Sequence, residues 1–115
     1  MTVTIYHNPR CSKSRETLAL LESRGLSVKV IEYLKSPPDR KQLTTILKLL
    51  HMRARDIIRK SEPAFHELGL DEETVTDGQM IDAMVTHPAL MQRPIVLANG
   101  KAALGRPPED VLKIL

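Results

Sequence analysis

The chain opens with a strand, a loop broken by proline and a helix, and this order constrains the fold more than any other feature. Val3 and Ile5 alternate with more polar residues, a period of two that predicts a strand with one apolar face. Asn8-Pro9 should end that strand, because proline lacks a backbone donor and disfavours helical backbone in the residue before it. Apolar residues then recur at helical spacing as far as Gly25, which is placed to terminate a helix.

Two further apolar stretches complete a predicted sheet. Val28 to Tyr33 predicts a second strand, so the first part of the chain forms a βαβ unit with parallel strands and a right-handed crossover. Asn99-Gly100 lies between two short apolar segments and favours a tight hairpin, since it suits a turn with positive φ at both central residues. The hairpin strands are expected at Ile95–Ala98 and Lys101–Leu104. We therefore predict an α/β chain with a four-stranded mixed sheet flanked by helices.

Helical segments are predicted between and after these strands. Ser36 is expected to cap a helix whose apolar residues at 43, 46, 47 and 50 share one buried face. Thr76 and Gln79 have the spacing of a capping box before another helix. Shorter helical segments are predicted at Arg53–Lys60, Ala64–Leu68 and Glu109–Leu115.

Composition excludes several classes of protein. At 115 residues the chain is long enough for one domain with a core, and its formal net charge is only +3. The basic residues are interspersed with acidic ones and the chain has few aromatics, which does not favour binding to nucleic acid. We see no apolar run of membrane-spanning length, no signal peptide and no metal-ligand spacing. The chain is expected to be soluble and cytoplasmic, with neither a membrane nor a nucleic-acid partner.

Cys11 is the only cysteine, and its predicted position favours a reactive thiol. The first N–H groups of a helix are unpaired and carry partial positive charge, which stabilises a thiolate. Four basic residues also crowd this loop, namely His7, Arg10, Lys13 and Arg15. The alternative is a buried cysteine that acts only as a small apolar side chain.

Arg93 and Arg106 each precede a proline at an edge of the predicted hairpin. Ligands of open α/β sheets collect beyond the strand ends, where Cys11 is also expected. A thiolate with guanidinium groups suits nucleophilic attack on a tetrahedral oxyanion, although each arginine alone is as well explained by solubility. A phosphatase loop of the Cys-x5-Arg type is excluded because its arginine position holds Thr17. An adduct on a lone cysteine must be released by water or by an external thiol, and the second route suits a single-cysteine reductase.

Several ordered motifs together resemble one family over essentially the whole chain. They are Ile5–Cys11, Ser14-Arg15, Leu34–Pro38, Ile58–Lys60, Glu67–Leu70, His87-Pro88, Arg93–Val96 and Gly105–Pro108. This set is similar to the glutaredoxin-coupled arsenate reductases, the ArsC family. The resemblance implies a single thioredoxin-like domain over residues 1–115, with a helical insertion at about 37–90.

The resemblance also implies roles for individual residues. Cys11 would attack arsenate, and three arginines would bind the oxyanion: Arg59, Arg93 and Arg106. His7 and Ser14 would help to hold the thiolate, Arg15 matches a loop arginine, and Pro94 matches a proline that follows a cis peptide bond. Glutathione would serve as co-substrate and glutaredoxin as partner, without a metal or a tightly bound cofactor.

Two other functions are compatible with parts of the sequence. Ser12 and Lys13 replace the Gly-Thr pair of resistance-type members, which leaves the physiological oxyanion open. Cys11-Ser-Lys-Ser14 also matches the Cys-x-x-Ser of monothiol glutaredoxins, so a glutathione-linked thiol-disulfide oxidoreductase is one alternative. The other is a non-enzymatic regulatory domain of the same fold, since RNA polymerase regulators resemble the family distantly.

Overall fold

The computed structural model describes residues 2–115 and contains the predicted mixture of strands and helices. The strands are β1 (Thr2–His7), β2 (Ser27–Glu32), β3 (Ile95–Ala98) and β4 (Lys101–Leu104). The α-helices are α1 (Ser12–Ser23), α2 (Arg40–Leu50), α3 (Ala54–Ile57), α4 (Pro63–Glu67) and α5 (Asp77–Thr86). Two segments are 3₁₀ helices, Pro88–Leu90 and Pro108–Ile114.

The four strands form one mixed sheet in the order β2-β1-β3-β4. β1 pairs parallel with β2 and antiparallel with β3, and β3 pairs antiparallel with β4. The predicted hairpin between β3 and β4 is confirmed, with Asn99 and Gly100 at φ of 55° and 69°. These positive angles are the conformation that the Asn-Gly pair favours.

The chain forms two compact units. The first runs through Ser36 and resumes at Arg93–Leu115, so it contains the whole sheet. Its core joins β1 and β3 to α1 and the C-terminal 3₁₀ helix, with Ile5, Val96 and Val111 fully buried. Burying such aliphatic side chains contributes about 1.5–3 kcal/mol each.

The second unit, Pro37–Gln92, is helical. α2 buries the four apolar residues predicted for its core face, which are Leu43, Ile46, Leu47 and Leu50. α2 and α3 both pack against α5. α5 begins at the predicted capping box, in which Gln79 N–H donates to Thr76 Oγ1 at 3.2 Å. Whether both units form a single domain stays a prediction.

Three predicted helices differ from the observed ones. The cap of α2 is Asp39 rather than Ser36, because the Asp39 carboxylate accepts from Gln42 N–H at 2.7 Å while Gln42 Oε1 accepts from Asp39 N–H. The helix expected over Arg53–Lys60 covers only Ala54–Ile57, since Ile58 is extended and forms a bridge with Met91. The helix expected at Glu109–Leu115 is the 3₁₀ segment described above.

None of the helices in the part of the chain that the structure describes is long and apolar enough to cross a membrane.

Candidate active site

The loop between β1 and α1 places Cys11 at the N-terminus of the helix, as predicted. Cys11 is the N-cap residue, with extended backbone at φ −94° and ψ 123°. Asn8 shapes the loop: its carbonyl accepts from Cys11 N–H, and its side-chain oxygen accepts from Arg10 N–H, each at 3.0 Å. The thiol therefore lies where the unpaired N–H groups of the first helical turn concentrate positive potential.

The pKa of the Cys11 thiol is lowered from its ordinary value. Partial burial acts in the opposite direction and raises the pKa, but interactions that favour the thiolate outweigh it. These come from the backbone N–H of Ser14, from the guanidinium of Arg93 and from the backbone N–H of Lys13. Lys13, which is near Cys11 in sequence, lowers the thiol pKa through its backbone N–H and not through its side-chain charge. The guanidinium with the largest effect on the thiol pKa is that of Arg93, which lies 82 positions further along the chain.

Ser14 connects the first turn of α1 to the end of β1. Its hydroxyl lies 2.7 Å from His7 Nδ1 and accepts from Asn8 N–H at 3.0 Å. Ser14 is fully buried and His7 is nearly so. Burial lowers the pKa of His7, Glu32 partly opposes this, and Arg15 lowers it further, so the imidazole is neutral at neutral pH.

Arg15 supports the loop from outside. Its Nη1 donates to the carbonyl oxygen of Pro9 at 3.0 Å, and its side chain is exposed. This contact holds the backbone of the proline turn that precedes Cys11.

The two arginines predicted at the hairpin edges lie together. Arg106 Nε donates to the Arg93 carbonyl oxygen at 2.9 Å, and Gly105 N–H donates to the Pro94 carbonyl oxygen at 3.0 Å. The Arg93–Pro94 peptide bond is cis, as the resemblance implies, and the Arg106–Pro107 bond is also cis. The structure thus brings the Arg93 guanidinium to Cys11 and the Arg106 side chain to the Arg93 backbone.

Gly105 allows α1 and Pro94 to approach closely at this point. A Cβ atom on Gly105 would lie 2.5 Å from Thr17 Oγ1 and 2.6 Å from Pro94 Cγ. Both distances are shorter than van der Waals contact, so glycine is required by the packing.

Tyr33 is a residue near the nucleophile that sequence reasoning assigned only to the end of a strand. Its side chain is fully buried, and its hydroxyl has no hydrogen-bond partner among residues 2–115. Burial raises its pKa, Arg93 and Asn8 act to lower it, and the charge of Cys11 raises it further. The sequence contained one sign of this position: Tyr33 is a bulky aromatic residue directly after β2, the strand that pairs parallel with β1.

Arg59 belongs to the second unit, and its contacts there are local. Its backbone N–H donates to the Leu90 carbonyl oxygen at 2.7 Å, and its Nη1 donates to Glu62 Oε1 at 3.1 Å. The other predicted site residues all belong to the first unit: His7, Cys11, Ser14, Arg15, Arg93, Pro94 and Arg106. Within residues 2–115, no group of three or more His, Cys, Asp or Glu side chains is arranged to hold a metal ion.

Comparison with known proteins places this arrangement in a family. The family model described as ArsC family matches residues 6–114. The chain belongs to the ArsC family. This membership confirms the resemblance drawn from the ordered motifs along the whole chain.

Individual members of the ArsC family match over nearly full length. The chain is 52% identical to YfgD of Escherichia coli (strain K12), whose name states no activity, over 98% of this chain and 96% of that protein. It is 47% identical to an arsenate reductase of Neisseria meningitidis (serogroup A, strain Z2491), over 98% of this chain and 97% of that protein. The structure of an arsenate reductase from Vibrio cholerae matches with a TM-score of 0.97 and 47% identity, over 100% of this chain and 98% of that one. The predicted thioredoxin-like fold with a helical insertion is confirmed.

Proposed function

We propose that this protein is an arsenate reductase in which the Cys11 thiolate attacks arsenate. The observation that carries the proposal is the position of Cys11, whose pKa is lowered at a helix N-terminus beside the Arg93 guanidinium. Those groups stabilise the thiolate before the reaction and an oxyanion during it. Relatives that are 47% identical carry the name arsenate reductase, which supports arsenate as the oxyanion.

The reaction requires external thiols because the chain has one cysteine. In the first step the Cys11 sulfur bonds to arsenic, and one arsenate oxygen leaves as water after protonation. A glutathione thiolate then attacks the Cys11 sulfur; the sulfur–arsenic bond breaks with its electron pair on arsenic, and arsenite is released. Glutaredoxin attacks the glutathione sulfur of the mixed disulfide and regenerates the Cys11 thiolate. We place this chemistry in the cytoplasm, where thiols are kept reduced.

The proposed oxyanion ligands are Arg93, Arg106 and Arg59, and different observations support each assignment. Arg93 interacts with Cys11, and Arg106 is held to the Arg93 backbone. The role of Arg59 rests on the resemblance alone. His7, Ser14 and Arg15 support the loop, and no metal or tightly bound cofactor takes part in the proposed cycle.

Arsenate-dependent NADPH oxidation, coupled through glutathione, glutathione reductase and glutaredoxin, tests the proposal. Cys11→Ser should abolish turnover. Arg93→Ala, Arg106→Ala and Arg59→Ala should each lower kcat/KM by about 100-fold or more, as expected for donors to a developing charge. Arg24→Ala, which removes an exposed arginine after α1, is the matched control and should retain full activity.

Omission experiments identify the reductant and separate the competing functions. Turnover should require both glutathione and glutaredoxin. Cys11-dependent disulfide exchange without arsenate turnover would instead establish a thiol-disulfide oxidoreductase. The absence of activity in both assays would favour a non-enzymatic binding domain.

A further inference from the structure

We propose that Tyr33 is a further oxyanion-binding residue, whose hydroxyl donates a hydrogen bond to the substrate anion beside Arg93. This inference rests on the proposed function and extends its anion site by a neutral donor. Neither the motifs nor the basic residues of the sequence pointed to Tyr33.

Sheet register places Tyr33 at the same edge as the nucleophile loop. Tyr33 directly follows β2, whose last residue, Glu32, pairs with His7, the last residue of β1. Because β1 and β2 are parallel, Asn8 and Tyr33 leave the sheet side by side at their carboxyl ends. The edge beyond the carboxyl ends of parallel strands is where ligands of α/β sheets bind.

The antiparallel strands bring the arginines to that same edge. Tyr6 of β1 pairs with Ile95 of β3, and Ile95 pairs with Leu104 of β4. Arg93 lies two positions before Ile95 and Arg106 lies two positions after Leu104, so both lie just outside the sheet edge. The Arg106 Nε to Arg93 oxygen bond of 2.9 Å confirms that these two segments are adjacent there.

Two buried polar groups at this edge have no protein acceptor. Tyr33 Oη and Arg93 Nε are both buried without a hydrogen-bond partner among residues 2–115. Buried donors are nearly always satisfied, so two unsatisfied donors next to a nucleophile indicate a site for an acceptor. An oxyanion supplies several acceptor oxygens at once and can therefore accept from both groups.

The hydroxyl of Tyr33 is suited to donate a hydrogen bond to an anion, whereas it carries no positive charge to pair with one. Burial raises the pKa of its hydroxyl, and the charge on Cys11 raises it further, against the opposing effects of Arg93 and Asn8. The phenol is therefore protonated throughout the physiological range and offers an O–H to a bound anion. Its neighbour Arg93 offers charge and an N–H donor, so the two contacts are complementary.

Tyr33→Phe removes this donor and keeps the ring. The native chain and the variant are compared by arsenate affinity in calorimetry without thiols, by KM for arsenate in the coupled assay, and by melting temperature without anion. We expect arsenate affinity to fall by about 10-fold to 100-fold, the effect of one hydrogen bond to a charged group. The melting temperature without anion should not fall, because the hydroxyl makes no hydrogen bond to any of residues 2–115 that the substitution would remove.

Tyr6→Phe is the matched control, since Tyr6 is the other tyrosine of the chain. It removes a phenol from within β1, one strand away from Tyr33, and should leave arsenate affinity within about twofold of native if the Tyr33 hydroxyl is the donor to the anion. Unchanged arsenate affinity in Tyr33→Phe, with a native chain that binds and reduces arsenate, would overturn the inference and leave the proposed function standing. A native chain that neither binds nor reduces arsenate would overturn both.

A second measurement does not depend on the folding of Tyr33→Phe. With two tyrosines, the full chain labelled with 3-fluorotyrosine gives two ¹⁹F resonances, which Tyr6→Phe assigns. Addition of arsenate should shift the Tyr33 resonance more than that of Tyr6. Equal or absent shifts at an arsenate concentration that saturates the native chain would contradict the contact.

Discussion

Ser14 Oγ lies 2.7 Å from His7 Nδ1, and this contact joins the first turn of α1 to the last residue of β1. The same hydroxyl accepts from Asn8 N–H, so one buried oxygen satisfies two groups of the loop before Cys11. A serine hydroxyl thus positions the nucleophile loop.

Ser14→Ala should lower the free energy of unfolding by about 1–3 kcal/mol, because it leaves the imidazole of His7 and the N–H of Asn8 buried without this partner. Chemical denaturation monitored by circular dichroism measures the change. Ser12→Ala, at an exposed position two residues earlier, is the control and should change stability by less than about 0.5 kcal/mol. Equal effects of the two substitutions would contradict the structural role of Ser14.

The Cys11 thiol should react with iodoacetamide as a thiolate at lower pH than a free cysteine does, which has a pKa of about 8.5. Arg93→Ala should move the midpoint of the pH-rate profile upward, since it removes the side-chain charge that most favours the thiolate. Arg10→Ala removes a closer arginine in sequence and should leave the midpoint nearly unchanged. A native midpoint at or above the free-cysteine value would refute the activation of the thiol.

His7 should make the protein less stable in mild acid. Its pKa is lowered in the folded state by burial, so the unfolded chain binds a proton more readily. The free energy of unfolding should therefore be highest above about pH 6.5 and should fall as the pH drops from there toward the folded-state pKa. Comparing the native chain with His7→Gln from pH 7.5 to 5 isolates this contribution, and parallel pH profiles for the two would exclude it.

Gly105→Ala should destabilise the first unit by about 1–3 kcal/mol, because the added methyl overlaps Thr17 and Pro94. The displaced backbone also carries Arg106, so arsenate KM should rise together with the loss of stability. Gly25→Ala is a useful comparison, since a Cβ there meets no atom within 4 Å and any cost comes from its φ of 68° alone. Thermal melts and the coupled assay measure both quantities; a stable Gly105→Ala with native KM would disprove the close approach.

Local patterns in the sequence determined the elements around the site. Steric effects between neighbouring residues produce three of these features, which can be predicted without knowledge of the fold. They are the period-two alternation of β1, the end of that strand at Asn8-Pro9 and the turn at Asn99-Gly100. The placement of Cys11 at a helix N-terminus followed from the same local rules. The ends of the helices did not follow from local rules. α3 ends where Ile58 forms a bridge with Met91, which is a contact distant in sequence. The N-cap of α2 is Asp39, and helix propensity does not decide between competing cap residues.

Tertiary structure decided which charged side chain acts on the thiol, whereas the N–H groups of Lys13 and Ser14 belong to the local helix N-terminus. The sequence suggested that the basic side chains beside Cys11 would lower its pKa, whereas the guanidinium that contributes most is that of Arg93. The sequence showed Tyr33 as an aromatic residue at the end of a strand, but it did not show that this side chain lies near Arg93 and Cys11. Electrostatic and hydrogen-bond effects depend on distance in space and on burial, and the sheet register that brings β1, β2 and β3 to one edge sets both.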